Sequence, residues 1–100
     1  MSEPFVSVVT PVYNTGEFIE QAIRSVLEQT YQNFEYIICN NHSTDNSGEI
    51  AARYAALDPR IRVVQPPHFL PQAQNFNFAL QQISPESRYT KMILADDWLF

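Results

Sequence analysis

Cysteine, glycine and basic residues are scarce in this sequence of 100 residues, and each scarcity excludes a class of protein. Cys39 is the only cysteine, which excludes an internal disulfide framework and a zinc site built from several thiolates of one chain. The two glycines lie far apart, so the chain lacks the glycine-rich turn of P-loop and dinucleotide-binding proteins. Six Lys and Arg against eleven Asp and Glu give a net charge of −5, so nucleic acid is not an expected partner.

Long hydrophobic runs are also missing. No apolar run approaches the roughly 18 residues of a membrane span, and residues 1–4 lack the charged and hydrophobic regions of a signal peptide. We therefore expect a cytoplasmic protein, with peripheral attachment to the inner face of the membrane left open for a full-length form. The chain ends on Trp98, Leu99 and Phe100, so we expect a truncated domain that self-associates through these exposed apolar residues.

The sequence does contain a regular alternation of strand and helix patterns. Runs of β-branched and apolar residues predict four strands, at 5–10, 34–39, 61–65 and 91–95. Three segments with apolar residues at helical spacing lie between them, and the first covers 17–29. This order predicts an α/β fold in which helices cover both faces of a doubly wound, mainly parallel, Rossmann-like sheet of four strands. Ligands of such sheets bind beyond the carboxyl ends of the strands.

Several local predictions accompany this pattern. Pro11 cannot donate to a sheet ladder and is expected to end the first strand. Thr15 is a candidate N-cap for the first helix. The apolar stripes of the second and third helices include Leu57 and Leu80. The nearly continuous apolar run of the second strand predicts that it is buried on both faces.

Two loops at the expected carboxyl edge carry residues with chemical meaning. Tyr13 follows the first strand, where its ring either stacks on a nucleobase or covers the end of the core, and both interpretations stay open. Asp96 and Asp97 follow the fourth strand, and paired carboxylates at such a place either hold Mg²⁺ or Mn²⁺ or stabilise a turn. A bound cation would allow this acidic protein to hold a diphosphate.

Four segments occur together in a distinctive order. They are 6–14 (VSVVTPVYN), 25–35 (SVLEQTYQNFE), 43–45 (STD) and 95–97 (ADD). In order and spacing they resemble the opening of family 2 glycosyltransferases with the GT-A fold. The resemblance implies that a sugar passes with inversion from a nucleotide-diphosphate donor, usually a UDP-sugar, to a hydroxyl of an unknown glycan, lipid or protein. It also implies the strand order 3-2-1-4, with the fourth strand beside the first.

The same resemblance implies which residues hold the donor. The wall around the base corresponds to three consecutive residues, Pro11, Val12 and Tyr13. Asn41 corresponds to an acid that hydrogen-bonds the edge of uracil. The diphosphate and its Mn²⁺ or Mg²⁺ correspond to Asp96 and Asp97, with Asp97 as the direct metal ligand and Asp96 also in contact with the nucleotide.

The sequence departs from the family pattern at three places. Asn40 and Asn41 replace a pair of acids, Gln74 stands where an arginine near the phosphates is common, and Leu94 replaces an acid ahead of the aspartate pair. Asparagine can still pair with a pyrimidine but without charge assistance, so affinity or base preference is expected to differ. His42, which follows Asn41, is expected to be exposed or to stabilise its turn.

The family's acceptor-binding half and its general base lie beyond the aspartate pair. Residues 1–100 are therefore expected to form only the donor-binding part of a catalytic domain, without a catalytic residue and without turnover. A non-catalytic nucleotide-binding or protein-interaction module is the alternative. A phosphate-accepting receiver domain is disfavoured, because it needs acids after the first and third strands, where Pro11 and Pro66 stand instead.

Overall fold

A computed structural model of the chain describes residues 5–14, 16–28 and 32–92. Strands and helices alternate along these ranges, as the sequence predicts. The elements are, in chain order, β1 (Val6–Val12), α1 (Gly16–Glu28), β2 (Phe34–Asn40), α2 (Ser47–Leu57), β3 (Ile61–Val64), α3 (Gln72–Leu80) and β4 (Tyr89–Met92). None of the helices described is long and apolar enough to cross a bilayer.

The four strands form one parallel sheet in the order β3-β2-β1-β4, which confirms the order that the family resemblance implies. β1 pairs with β2 along its whole length, from Val6 opposite Phe34 to Val12 opposite Asn40. On its other side β1 pairs with β4. The chain builds outward from β1 to β3 and then returns to the opposite side of β1, so the strand order reverses at β1, where ligands of such sheets bind.

Pro11 lies inside β1, so the prediction that it ends the strand is wrong. Within the β1–β2 ladder, Val6 donates to the carbonyl of Asn33, and Val12 accepts from the amide of Asn41. Alternate residues of a parallel ladder bond to opposite sides, so Pro11 turns its nitrogen away from β2. The proline therefore removes no hydrogen bond from the β1–β2 ladder, and the strand continues to Val12.

Apolar clusters lie on both faces of the sheet. α1 and α2 cover one face, where Tyr36 and Ile38 of β2 are fully buried. α3 covers the other face, where Ile37 and Cys39 of β2 pack with Ala79. Because successive residues of a strand point to opposite sides, this alternation confirms the prediction that β2 is buried on both faces.

The helices bury fewer apolar side chains than their periodicity predicts. In α1 the expected stripe is confirmed, since Ile19 and Ile23 are completely buried. Leu57 is 77% exposed because the buried residues of α2 lie in its first half and this residue ends the helix. Leu80 is 38% exposed because α3 turns Asn75 and Ala79, one helical turn apart, toward the sheet. The two predictions of buried leucines are wrong.

The ends of some elements differ from the predicted ones. β4 begins at Tyr89, earlier than predicted, because the hydrogen bond from Arg88 to Phe5 already draws the chain alongside β1. Thr15, the candidate N-cap, and residues 93–100, which include the apolar end of the chain, lie outside the described residues. The predictions made for them stay predictions.

Candidate functional site at the carboxyl edge of the sheet

Three loops meet beyond the carboxyl ends of β1, β2 and β3. The loop after β1 contains Tyr13 and Asn14, the loop after β2 covers residues 41–46, and the loop after β3 covers residues 65–71. Side chains of the second loop bond to both of the others. The residues that the sequence analysis assigned to the base are thereby brought to one edge, the edge at which doubly wound sheets bind ligands.

Asn14 ties the first loop to the second. Its backbone has the left-handed φ of 52°, which asparagine tolerates better than most residues. Its side-chain Oδ1 accepts hydrogen bonds from the backbone nitrogen and hydroxyl of Thr44, at 2.8 and 3.3 Å, and from the backbone nitrogen of Asp45, at 3.3 Å. In return, the Asn14 backbone nitrogen donates to the Ser43 hydroxyl at 3.0 Å. The position of the Tyr13 backbone is therefore set by the second loop.

Asp45 links the starts of two helices. One carboxylate oxygen accepts from the backbone nitrogen of Gly16 at 3.0 Å, and the other accepts from that of Ser47 at 2.9 Å. These are the first residues of α1 and α2, where a negative charge is favourable. Burial alone would raise the pKa of Asp45, but the hydrogen bonds from Ser47 and Gly16 hold this pKa below its usual range. Asp45 therefore serves the structure of the edge.

Asn41 and His42 hold the third loop. The Asn41 side chain is 2% exposed, and its Nδ2 donates to the carbonyl of Leu70 at 2.7 Å while its Oδ1 accepts from the nitrogen of Leu70 at 3.0 Å. His42 has a φ of 56°, and its Nε2 lies 2.8 Å from the carbonyl of Pro66. A carbonyl only accepts, so this nitrogen carries the proton and donates. His42 thus joins the second loop to the third, a contact that differs from both expected roles, exposure and stabilisation of its own turn.

The side chains predicted for the base wall take different positions. Val12 is 1% exposed and packs in the core cluster beneath α1 and α2. Pro11 is half-buried. Tyr13, in contrast, is 48% exposed, and its ring lies 5.0 Å from that of Phe69, which is 51% exposed, at an interplanar angle of 65°. The accessible part of the wall is therefore an aromatic pair, and one of its members was not predicted.

The predicted metal ligands, Asp96 and Asp97, lie outside the described residues, and their assignment stays a prediction. Among the residues described, no group of three or more His, Cys, Asp or Glu is arranged to hold a metal ion. The described part of the chain thus supplies no complete ligand set of this kind.

Below the edge, Cys39 at the end of β2 contacts α3. Its Sγ donates to Oδ1 of Asn75 at 3.2 Å, and both side chains are buried. Burial raises the pKa of the Cys39 thiol to about 11. The contact fixes α3 against the sheet, and the sequence analysis had predicted only that this cysteine is a buried strand residue.

Sequence reasoning missed two contributors to this edge. Phe69 was not singled out, although an aromatic residue between two prolines of a polar loop is a recognisable pattern for an exposed ring. The three-way acceptor role of Asn14 was missed as well, because its partners are distant in the chain. An asparagine two residues after the end of a strand is the sequence feature that suggests such a turn.

Comparisons with a family model and with curated proteins all find glycosyltransferases. The sequence model of the family described as "Glycosyl transferase family 2" matches residues 7–99. Glycosyltransferase GlyG of Streptococcus pneumoniae is 39% identical over 97% of this chain and 31% of its own length. The putative teichuronic acid biosynthesis glycosyltransferase TuaG of Bacillus subtilis is 37% identical over 95% of this chain and 37% of its own. The chain spans about a third of the length of these curated relatives.

Solved structures with the same fold include complexes with nucleotides. The mannosyltransferase PcManGT from Pyrobaculum calidifontis, in complex with GDP-Man and Mn²⁺, superposes with a TM-score of 0.73 and 26% identity over 83% of this chain and 25% of its own. S. aureus TarS 1–349 in complex with UDP gives a TM-score of 0.78 and 26% identity over 94% of this chain and 28% of its own. The GT-A architecture expected from the sequence is thereby confirmed.

Proposed function

Because this chain belongs to glycosyl transferase family 2, we propose that it forms the donor-binding part of an enzyme that moves a sugar from a nucleotide diphosphate to a hydroxyl group. The proposed donor is a UDP-sugar, the usual donor of the family, and the transfer inverts the configuration of the sugar. The acceptor is a hydroxyl of a glycan, a lipid or a protein. We further propose, following the family resemblance, that the general base for this hydroxyl lies outside these 100 residues, which span about a third of the length of the curated relatives.

The strand order is the observation that carries this proposal. β4 lies directly beside β1 and parallel to it, so both strands have their carboxyl ends at the same edge of the sheet. Tyr13 follows β1, and the pair Asp96 and Asp97 comes shortly after β4 in the sequence. A nucleotide whose base stacks on Tyr13 would direct its diphosphate toward the strand that leads to the two acids.

The solved relatives support a nucleoside diphosphate as the ligand class. One carries GDP-Man with Mn²⁺ and the other carries UDP, and both are 26% identical to this chain. The two ligands share a ribose and a diphosphate but differ in the base. The common chemistry is therefore an anionic diphosphate beside a flat aromatic group, which suits an edge with one exposed aromatic pair.

The lack of Lys and Arg in the described part of this edge indicates why a metal cation is needed to bind a diphosphate there. The described parts of the three loops contain no Lys or Arg, and Gln74 on α3 is neutral, so no permanently charged cationic side chain there offsets a diphosphate. Adjacent carboxylates such as Asp96 and Asp97 supply the hard oxygen ligands that Mn²⁺ and Mg²⁺ prefer. The ion, when bound, neutralises the charge that builds on the departing diphosphate.

Calorimetric titration tests the proposal. UDP titrated into the chain should release or absorb heat in the presence of Mn²⁺ and should bind at least about tenfold more weakly without it. Asp97→Ala should remove this metal-dependent binding. Glu86→Ala is the matched control, because it also removes one acid, and Glu86 is exposed in the segment that enters β4 at the opposite edge. Absence of heat at millimolar UDP with Mn²⁺, or equal affinity in Asp97→Ala, would contradict the proposal.

A further inference from the structure

The loop after β3 is held at both ends by side chains of the loop after β2. His42 bonds to the carbonyl of Pro66 at its start, and Asn41 bonds to both backbone groups of Leu70 near its end. Between these two attachments the backbone carries Phe69, whose ring is half exposed. Two polar side chains, one of them fully buried, are thus used to hold an aromatic ring at the surface.

The ring of Phe69 makes a corner with the ring of Tyr13. At 5.0 Å between centroids the two rings leave no room for a base between them. Their planes are inclined by 65°, so a flat group lying on one ring also touches the edge of the other. A nucleobase has the flat shape that such a corner accommodates, and every base offers a π face for stacking.

Asn41 is committed to the loop. It has one carbonyl and one amino group, and both are bonded to Leu70 while the side chain is 2% exposed. A side chain in this state cannot turn toward the edge of a base without leaving part-buried backbone groups of Leu70 without their hydrogen bonds to Asn41, which is costly. The residue expected to read the base by hydrogen bonding is therefore occupied elsewhere.

From these contacts we propose that Phe69 is a second aromatic contact for the base of the donor. Asn41 and His42 are then positioning residues that act through Phe69, and the base is bound by stacking with little discrimination between uracil and guanine. This inference rests on the proposed function, because it concerns the base of the same nucleotide. It differs from the expectation for Asn41 stated above, in which this amide contacts uracil directly.

The experiment compares UDP and GDP by calorimetric titration in Mn²⁺. The wild-type chain should bind the two nucleotides with dissociation constants within about threefold of each other, because stacking tolerates either base. Phe69→Ala should weaken both about tenfold, the loss expected for one stacking contact. Tyr89→Ala is the matched control, since it truncates an equally exposed aromatic residue at the opposite edge and should change neither constant.

A double variant separates positioning from direct contact. Asn41→Asp keeps the size of the side chain and its acceptor for Leu70 but removes the donor, so it should loosen the loop and weaken both nucleotides. The double variant Asn41→Asp, Phe69→Ala should bind both nucleotides no more weakly than Phe69→Ala alone. Asn41 affects binding only by positioning Phe69, so its substitution has no further effect once that ring is gone. Additive losses, or an effect of Asn41→Asp on UDP alone, would show that Asn41 reads the base and would overturn the inference.

The outcomes distinguish this inference from the proposed function. If the wild-type chain binds neither nucleotide, the proposed function fails and the inference with it. If the wild type binds UDP but Phe69→Ala binds it equally well, or if UDP is preferred over GDP by more than about tenfold, only the inference fails. Phe69 is half exposed, so its substitution leaves the fold intact, and the comparison of UDP with GDP needs no variant at all.

Discussion

The hydroxyl of Ser7 donates a hydrogen bond of 2.6 Å to the buried carboxylate of Glu35 at the amino edge of the sheet. The same carboxylate accepts from the backbone nitrogen and the hydroxyl of Ser84, at 2.9 and 2.8 Å, and from Arg62 at 3.1 Å. Glu35 therefore joins β1, β2 and β3 to the connection between α3 and β4. This contact, far from the ligand edge, therefore anchors the segment that enters β4.

Acidification should destabilise the protein through Glu35. Burial alone would raise its pKa, but the hydrogen bonds from Ser7, Ser84 and Arg62 outweigh that effect and lower the pKa below 4.5. A carboxyl group with a lowered pKa in the folded state stabilises that state above its unfolded pKa, and the stabilisation is lost as the pH falls. Urea denaturation should show the free energy of unfolding falling as the pH drops through 4.5, the ordinary pKa of the group.

Glu35→Gln isolates this contribution. The amide keeps the shape but loses the charge-assisted bonds, so the variant should be about 2 kcal/mol less stable at neutral pH. The difference from wild type should shrink below pH 4.5, the ordinary pKa of the group. Glu86→Gln, an exposed acid in the same connection, should change little. A difference between wild type and Glu35→Gln that stays constant down to pH 3 would contradict the lowered pKa.

Glu35 also illustrates what sequence reasoning can reach. Its strand was predicted correctly, because six consecutive residues of β2 are buried and five of them are apolar. The role of the carboxylate was not predicted, since its partners Ser7 and Ser84 are remote in the chain and periodicity does not report which loops fold onto a strand end. Short-range patterns specify elements, whereas buried polar contacts arise from tertiary packing.

Substitutions of Asn14 should separate two contributions to stability, that of its side-chain hydrogen bonds and that of its left-handed backbone. Asn14→Ala removes the acceptor for Thr44 and Asp45 and puts an ordinary side chain at a φ of 52°, so it should cost about 2 kcal/mol of stability. Asn14→Gly removes the same acceptor but adopts this φ without strain, and should cost about 1 kcal/mol. Urea denaturation of both variants measures which of them loses more stability. Equal losses, or a larger loss for glycine, would show that the left-handed backbone carries no strain here.

The thiol of Cys39 should be inert in the folded protein. It is fully buried, and burial raises its pKa to about 11, so very little thiolate is present at neutral pH. Iodoacetamide should fail to label the native chain at about pH 8 and should label it rapidly in denaturant. Cys39 is the only cysteine, so Cys39→Ala serves as the blank. Native labelling as fast as denatured labelling would contradict the contact with Asn75.

The candidate site was predictable in part. Tyr13 was predicted to lie at the ligand edge because it follows the first strand. The family resemblance implied that β4 would lie beside β1. The contact with Phe69 was not foreseeable, since it depends on how Asn41 folds the loop after β3 onto the second loop. The buried state of Leu57 was predicted wrongly for a related reason: helical periodicity gives a face but not how far the sheet extends beneath it.

We propose that a cation and a nucleotide meet at the carboxyl edge of this sheet. Paramagnetic broadening of backbone amide signals by Mn²⁺, recorded by NMR in the presence of UDP, locates the cation on the protein. The account predicts broadening at Asn14 and Thr44, none at Glu35 and Ser87 on the opposite edge, and loss of the effect in Asp97→Ala. Broadening centred on Glu35 and Ser87, or an unchanged pattern in Asp97→Ala, would contradict it.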